Sequence, residues 1–166
     1  VFKDHWYIAG FASDTAEIIK QLKELSSEGL SGHTSFVESW LTQNPSYRID
    51  SAEKLEALKS IFAESHVALI YGSAGTGKST LVRFIIEALD VEQKKVCYAT
   101  FTGKAAQVLA KKGNKNAMTL HRLLYDSVPR PGGGFTRIPK KTLDYTVVVV
   151  DEVSMAPKSI MTKLFS

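Results

Sequence analysis

Residues 72–79 read GSAGTGKS, directly after the apolar run VALIY and directly before a stretch with helical spacing. Few sequence features restrict a fold this tightly. Gly72, Gly77, Lys78 and Ser79 fill the fixed positions of the Walker A pattern, and Ser73, Ala74, Gly75 and Thr76 lie between them, with Thr80 following. Glycines let a backbone close around phosphate oxygens without steric conflict. Successive N–H groups then converge on the anion at the positive end of the next helix. Lys78 is expected to place its charge on the β- and γ-phosphates of ATP, and Ser79 to offer a hydroxyl to Mg²⁺. The bland alternative is a glycine-rich turn that merely starts a helix.

The surrounding pattern predicts an α/β fold of the P-loop NTPase (RecA-like) kind: a parallel sheet with flanking helices, expected to be truncated, after a small helical N-terminal region. The apolar runs 67–71, 96–100 and 147–150 are rich in β-branched residues and do not alternate. Such runs suit strands covered on both faces. Helical stretches at 79–89 and 103–111 separate them, giving the strand–helix–strand order of an α/β domain. Upstream, 14–28 carries Ile18, Leu22 and Leu25 on one helical face, 35–42 reads as a short helix, and 51–64 as a third, capped by Asp50 or Ser51. The opening segment with Phe2, Trp6, Tyr7, Ile8 and Phe11 has no clear period. PRPGGG at 129–134 reads as a turn-rich excursion. The expected division is a helical region over 1–48 and a partial RecA-like ATP-binding domain over 49–166.

Composition narrows the functional classes. Cys97 is the single cysteine, which excludes an intramolecular disulfide and a cysteine-based zinc site and favours a reducing, cytoplasmic setting. No apolar run approaches the roughly 20 residues of a membrane-spanning helix, and no secretory pattern opens the chain. The formal net charge of +4 suits a nucleic-acid partner without requiring one. The chain opens on Val1 and closes on a segment, 159–166, that reads as a helix in mid-course. A fragment of a longer protein is therefore expected.

Three further motifs carry chemistry. Asp151 and Glu152 follow the four-valine run. Asp151 at a strand end can hold Mg²⁺, and Glu152 can orient and deprotonate an attacking water. The same pair could instead cap the next helix. Thr102, Gly103 and Lys104 end the second run and open a helix, so they could receive a phosphate or form an ordinary capped helix with a solvated lysine. Thr119 and His121, in TLHRLL, read alone as a helix cap and a structural histidine. Lys111, Lys112 and Lys115 read as solvated surface, with a nucleic-acid track as the alternative, and Trp6 and Trp40 read as core rather than base-stacking platforms.

Taken in order, GSAGTGKST, FTGKAAQVLA, TLHRLL and VVVVDEVSM resemble motifs I, Ia, Ib and II of the RecD-like branch of superfamily 1 DNA helicases, over about residues 67–156. The resemblance implies phosphate and magnesium roles for Lys78 and Ser79, and magnesium-binding and water-activating roles for Asp151 and Glu152. It also implies single-stranded DNA contacts at Thr102, Gly103 and Lys104, and a place near the DNA path for Thr119 and His121. It implies a partner, the second RecA-like domain of the parent chain. Two departures stand out. The family usually has an adenine-reading glutamine in the helix before the loop, where this chain has Glu53, Lys54 and Glu56; and Phe101 replaces the usual proline of motif Ia. The expected function is the ATP-binding portion of an ATP-dependent DNA helicase. The alternatives are a P-loop ATPase or kinase that does not act on DNA, and a nucleic-acid-binding module gated by ATP.

Overall fold

The computed structural model describes residues 9–47, 49, 51–73 and 75–166. The opening segment before Ala9, the side chain of Phe11, the alternative cap Asp50 and the loop residue Ala74 lie outside the described residues. The chain forms two compact units, one of residues 91–166 with the described residues up to Ile18, the other Ile19–Asp90.

In order, the elements are α1 (Ala9–Leu25), α2 (His33–Gln43), α3 (Ala52–Ser60), α4 (Lys78–Ala88), β1 (Val96–Thr100), α5 (Gly103–Lys111), β2 (Ala117–Thr119), α6 (Leu120–Leu124), β3 (Tyr125–Pro129), β4 (Phe135–Pro139), β5 (Val147–Val150) and α7 (Lys158–Phe165). A parallel three-stranded sheet of order β2-β1-β5, with helices around it, bears out the α/β expectation. β1 lies in the middle, and Val96, Cys97, Ala99 and Thr100 are buried. That is the two-sided burial its unbroken apolar run implies. The register sets Tyr98 against Ala117 and Val149, and Ala99 against Met118 and Val150. Cys97, Ala99, Leu120, Leu123, Leu124 and Ile160 form the core of this unit, bringing one face of α6 and of α7 onto the sheet.

The run 129–134 is the connection of an antiparallel hairpin. Tyr125 pairs with Pro139 and Pro129 with Phe135, and Arg130 N–H donates to the Gly134 carbonyl at 3.0 Å. The two strands were not foreseen, because both are largely exposed and lack an apolar alternation.

In the second unit, Val37 of α2, Leu58 of α3 and Leu81, Ile85 and Ala88 of α4 make the core, with Trp40 packed against it as expected. Ser51 caps α3, its hydroxyl accepting from Lys54 N–H at 3.1 Å. α3 ends at Ser60, short of the expected residue 64, and continues in turns. The Phe62 carbonyl there accepts from Leu30 N–H at 2.7 Å.

One expectation is corrected. Residues 67–71 do not form a strand. Val67, Ala68 and Ile70 are half-buried, but Leu69 and Tyr71 are 74% and 95% exposed. A strand exists through the ladder it shares with a neighbour, and among the described residues no strand pairs with this segment. Its apolar composition alone does not make it one.

A methyl group at Gly29 would sit 2.2 Å from the Ala63 carbonyl oxygen. Gly29→Ala is therefore expected to lower stability by about 2–3 kcal/mol in urea denaturation, as overpacking against backbone does. The Cys97 thiol is fully buried, and burial pushes its pKa from 9.0 up to about 11, against a smaller opposing pull from Lys140. The unfolded thiol gives up its proton first, so this contribution is whole below pH 9 and is lost as pH rises towards 11. Stability should fall over that window, and Cys97→Ala should flatten the fall. At pH 8 a disulfide reagent should label wild-type protein only as fast as it unfolds.

Candidate functional site

The loop at 72–79 is built from its own backbone. Gly77 takes φ 82° and forms the N-cap of α4. A side chain is strained in that left-handed conformation, so glycine is the residue that fits. It also provides no side-chain oxygen, and α4 has no side-chain cap. Its first N–H groups are thus left to an anion or to solvent. Thr76 Oγ1 donates to the Ser73 carbonyl at 2.9 Å, tying the loop across itself. Lys78 Nζ donates to the Gly72 and Ser73 carbonyls at 2.8 and 2.7 Å, which holds the ammonium inside the curve of the loop. Ser79 and Thr80 are exposed on the first turn of α4, while Leu81 and Ile85 behind them are buried in the core. The loop is therefore fixed to a packed helix at its C-terminal side.

The remaining expected site residues lie in the other unit, at the C-terminal edge of its sheet. The ladder runs one residue past β5, with Asp151 N–H donating to the Ala99 carbonyl at 2.9 Å. Asp151 and Glu152 are both exposed there. Glu152 takes φ 52°, an unusual conformation for a residue with a side chain, and its N–H donates to Asp151 Oδ1 at 3.0 Å. The bond fixes one carboxylate oxygen of Asp151 and turns the chain sharply. Glu152 also stands as N-cap of a short 3₁₀ turn, Val153–Met155, without a side-chain bond to it.

Thr102 and Thr119 follow β1 and end β2 on the same edge. Each is a cap. Thr102 Oγ1 accepts from Ala105 N–H and Thr119 Oγ1 from Arg122 N–H, both at 3.2 Å. Gly103 and Lys104 are exposed on the first turn of α5. His121 stands between two aromatic rings, with Phe101 at 5.8 Å and Tyr125 at 6.3 Å between centroids, the second pair stacked. Phe101 and Tyr125 were not singled out as site residues in the sequence. The one available signal was the aromatic at 101 in place of proline. Lys111, Lys112 and Lys115 are all exposed, as a solvated surface requires.

Among the described residues no group of three His, Cys, Asp or Glu side chains could hold a metal ion by itself. The hydroxyl of Ser79 and the carboxylate of Asp151 are hard oxygen donors that suit Mg²⁺, which commonly takes one or two protein oxygens together with phosphate oxygens and water. No helix among the described residues is long and apolar enough to cross a membrane.

The model of the AAA domain family AAA_19 matches residues 54–166, more than half of the chain. The chain belongs to this AAA domain family. Its AAA domain is similar to the ATP-dependent DNA helicase dda of Enterobacteria phage T4, at 34% identity over 66% of this chain and 26% of that protein. It is similar to the RecBCD enzyme subunit RecD of Mycobacterium tuberculosis, at 34% identity over 59% of this chain and 20% of the relative. It is similar too to the ATP-dependent RecD2 DNA helicase of Deinococcus radiodurans, at 29% identity over 78% and 17%. The resemblance to RecD-like helicases is thereby borne out. The chain spans about a quarter or less of the length of these relatives.

The two threonine caps give a local test. Thr102→Ala and Thr119→Ala should each cost about 1 kcal/mol in chemical denaturation, and the serine variants should retain most of that.

Proposed function

We propose that this chain is the ATP-binding portion of an ATP-dependent DNA helicase that hydrolyses ATP to translocate on single-stranded DNA. The observation that carries the reading is the phosphate loop, with Lys78 curled inside it and an uncapped α4 behind it. It occurs in an AAA domain similar to two proteins named ATP-dependent DNA helicases and to a RecBCD enzyme subunit. The proposed division is a helical region over 1–48 and the ATP-binding portion over 49–166, working in a cytoplasmic parent protein with a second RecA-like domain.

In this reading the loop residues Gly72, Ser73, Ala74, Gly75, Thr76 and Gly77 with Lys78, Ser79 and Thr80 hold the triphosphate through backbone N–H groups. Lys78 takes up charge that grows on the phosphate oxygens as the γ-phosphoryl leaves. Ser79 and Asp151 are the ligands for Mg²⁺, which when bound neutralises phosphate charge. Glu152 accepts a proton from the attacking water and aims it in line. The bond from Glu152 N–H to Asp151 Oδ1 orients the first carboxylate while leaving the second carboxyl group exposed to solvent.

Thr102, Gly103, Lys104, Thr119 and His121 are the proposed contacts to single-stranded DNA. A cap threonine that accepts a backbone N–H keeps its own hydroxyl hydrogen to donate to a phosphate. Lys104 adds charge, and the rings of Phe101, His121 and Tyr125, the first pair tilted and the second stacked, are aromatic groups of the kind on which bases stack.

The test uses the longer parent protein. Lys78→Ala should reduce DNA-stimulated ATP hydrolysis about a hundredfold or more while single-strand binding persists. Glu152→Gln should keep nucleotide binding and lose hydrolysis by about 10²–10⁴-fold. ATP hydrolysis indifferent to single-stranded DNA would instead identify an ATPase that does not act on DNA. Unwinding that survives Lys78→Ala would sink the motor reading.

A further inference from the structure

Five lysines that the proposed site does not use stand at the other edge of its sheet, where the strands begin. Lys94 and Lys95 lead into β1, and Lys115 leads into β2. β1 and β2 are parallel, so α5 between them runs back from the C-terminal edge and ends there with Lys111 and Lys112. All five are exposed, and all belong to the unit that holds residues 91–166.

Main-chain geometry gathers them. α5 closes in a Schellman turn, with Gly113 at φ 97°. Gly113 N–H donates to the Ala110 carbonyl at 3.0 Å and Asn114 N–H to the Leu109 carbonyl at 3.2 Å. The chain thus reverses between Lys112 and Lys115. The Asn116 side-chain amide then donates to the Gln93, Lys94 and Val96 carbonyls at 3.0, 3.2 and 3.1 Å, sharing two hydrogens among three acceptors. One side chain therefore ties the segment that carries Lys115 to the segment that carries Lys94 and Lys95.

The charge balance is uneven. Segments 92–95 and 111–116 hold these five lysines and one acidic residue, Glu92, for a sum of +4. The formal net charge of the whole chain is also +4, so the remainder is neutral in balance. Glu92 pairs with Lys94 at 2.7 Å, and Lys95 Nζ donates to the carbonyl of Asp144, an exposed acidic residue, at 3.4 Å. Among the described residues no ion pair holds Lys111, Lys112 or Lys115. The negative end of α5 accounts for Lys111 and Lys112, but for none of the other three. Neither segment contains an aromatic residue. Single strands are held by stacking as well as by charge, and protein interfaces are depleted in lysine. Point charges alone suit the outside of a duplex, which presents one phosphate per about 1.7 Å of its axis.

We propose that Lys94, Lys95, Lys111, Lys112 and Lys115 form a second nucleic-acid surface, which grips the phosphates of a duplex without reading its sequence. The surface lies apart from the single-strand path proposed at the C-terminal edge and does not rest on it.

The experiment is fluorescence anisotropy of the chain with a labelled DNA duplex of mixed sequence and with a labelled single strand, over a salt series. Lys111→Gln/Lys112→Gln should weaken duplex binding about tenfold at low salt and reduce the slope of log K against log salt by about 2, near 0.9 for each lost phosphate contact. Single-strand affinity should fall by less than about threefold, since stacking elsewhere carries part of it. Lys20→Gln/Lys23→Gln removes the same charge from exposed sites on α1 and should leave duplex binding within about twofold. Thermal melting reports on folding. If the first pair does not fold, Lys94→Gln/Lys115→Gln, with neither residue on α5, is held to the same criteria. Equal losses in the patch pair and the α1 pair would trace to net charge and overturn the proposal. So would equal losses for duplex and single strand, or displacement of the duplex by polyglutamate as readily as by unlabelled duplex, which would mark a surface for acidic protein. Single-strand binding that is absent while duplex binding behaves as expected would overturn the C-terminal path and leave this surface standing.

Discussion

The parallel ladder through β1 is the constraint on which the chemistry of the first unit depends. β1 pairs with β2 on one side and β5 on the other, with Ala99 level with both Met118 and Val150. One step further along, Thr100 pairs with Thr119, and the ladder reaches Asp151 through its N–H. The C-terminal ends of the three strands therefore finish in one row. In a parallel sheet every chain leaves at the same edge, which is why ligand-binding loops collect there. Thr102, Thr119, Asp151 and Glu152 owe their common placement to main-chain register. The core beneath, from Cys97 and Ala99 to Leu120 and Ile160, holds that register by burying the strand that carries it.

The second unit solves a different problem with helices. Its loop must keep several N–H groups turned inward without a side-chain cap, so it needs a rigid base. α4 supplies one by burying Leu81, Ile85 and Ala88 against Val37 and Leu58. On the N-terminal side the support is weaker, since residues 67–71 join no ladder among the described residues and Tyr71 is almost fully exposed. Internal ties at Thr76 and Lys78 therefore contribute more to the shape of the loop than the segment entering it.

What could be read in the sequence was what depends on local pattern. β5 is a run of four valines and β1 a short apolar run without alternation, α5 starts at a threonine cap with glycine after it, and α4 starts where the motif ends. Each was legible because neighbouring residues decide it. β2 is three residues long, and the hairpin strands are exposed, so neither has a pattern strong enough to register. The reverse error at 67–71 has the same origin: composition favours a strand, but pairing decides. Of the site, the motif residues could be read directly, whereas the rings of Phe101 and Tyr125 around His121 come together only through folding.

The caps at Thr102 and Thr119 show why a structural and a functional reading need not compete. A threonine hydroxyl has two lone pairs and one hydrogen. Capping uses a lone pair, as the 3.2 Å contacts from Ala105 N–H and Arg122 N–H record. The hydrogen remains available, and capping restricts where the side chain can aim it. Alanine would remove both functions, but serine preserves the cap and the donor while losing only the methyl group. The structural role thus supplies the preorganisation that a phosphate contact needs, because a hydroxyl already fixed by its own helix loses little further freedom on meeting a ligand.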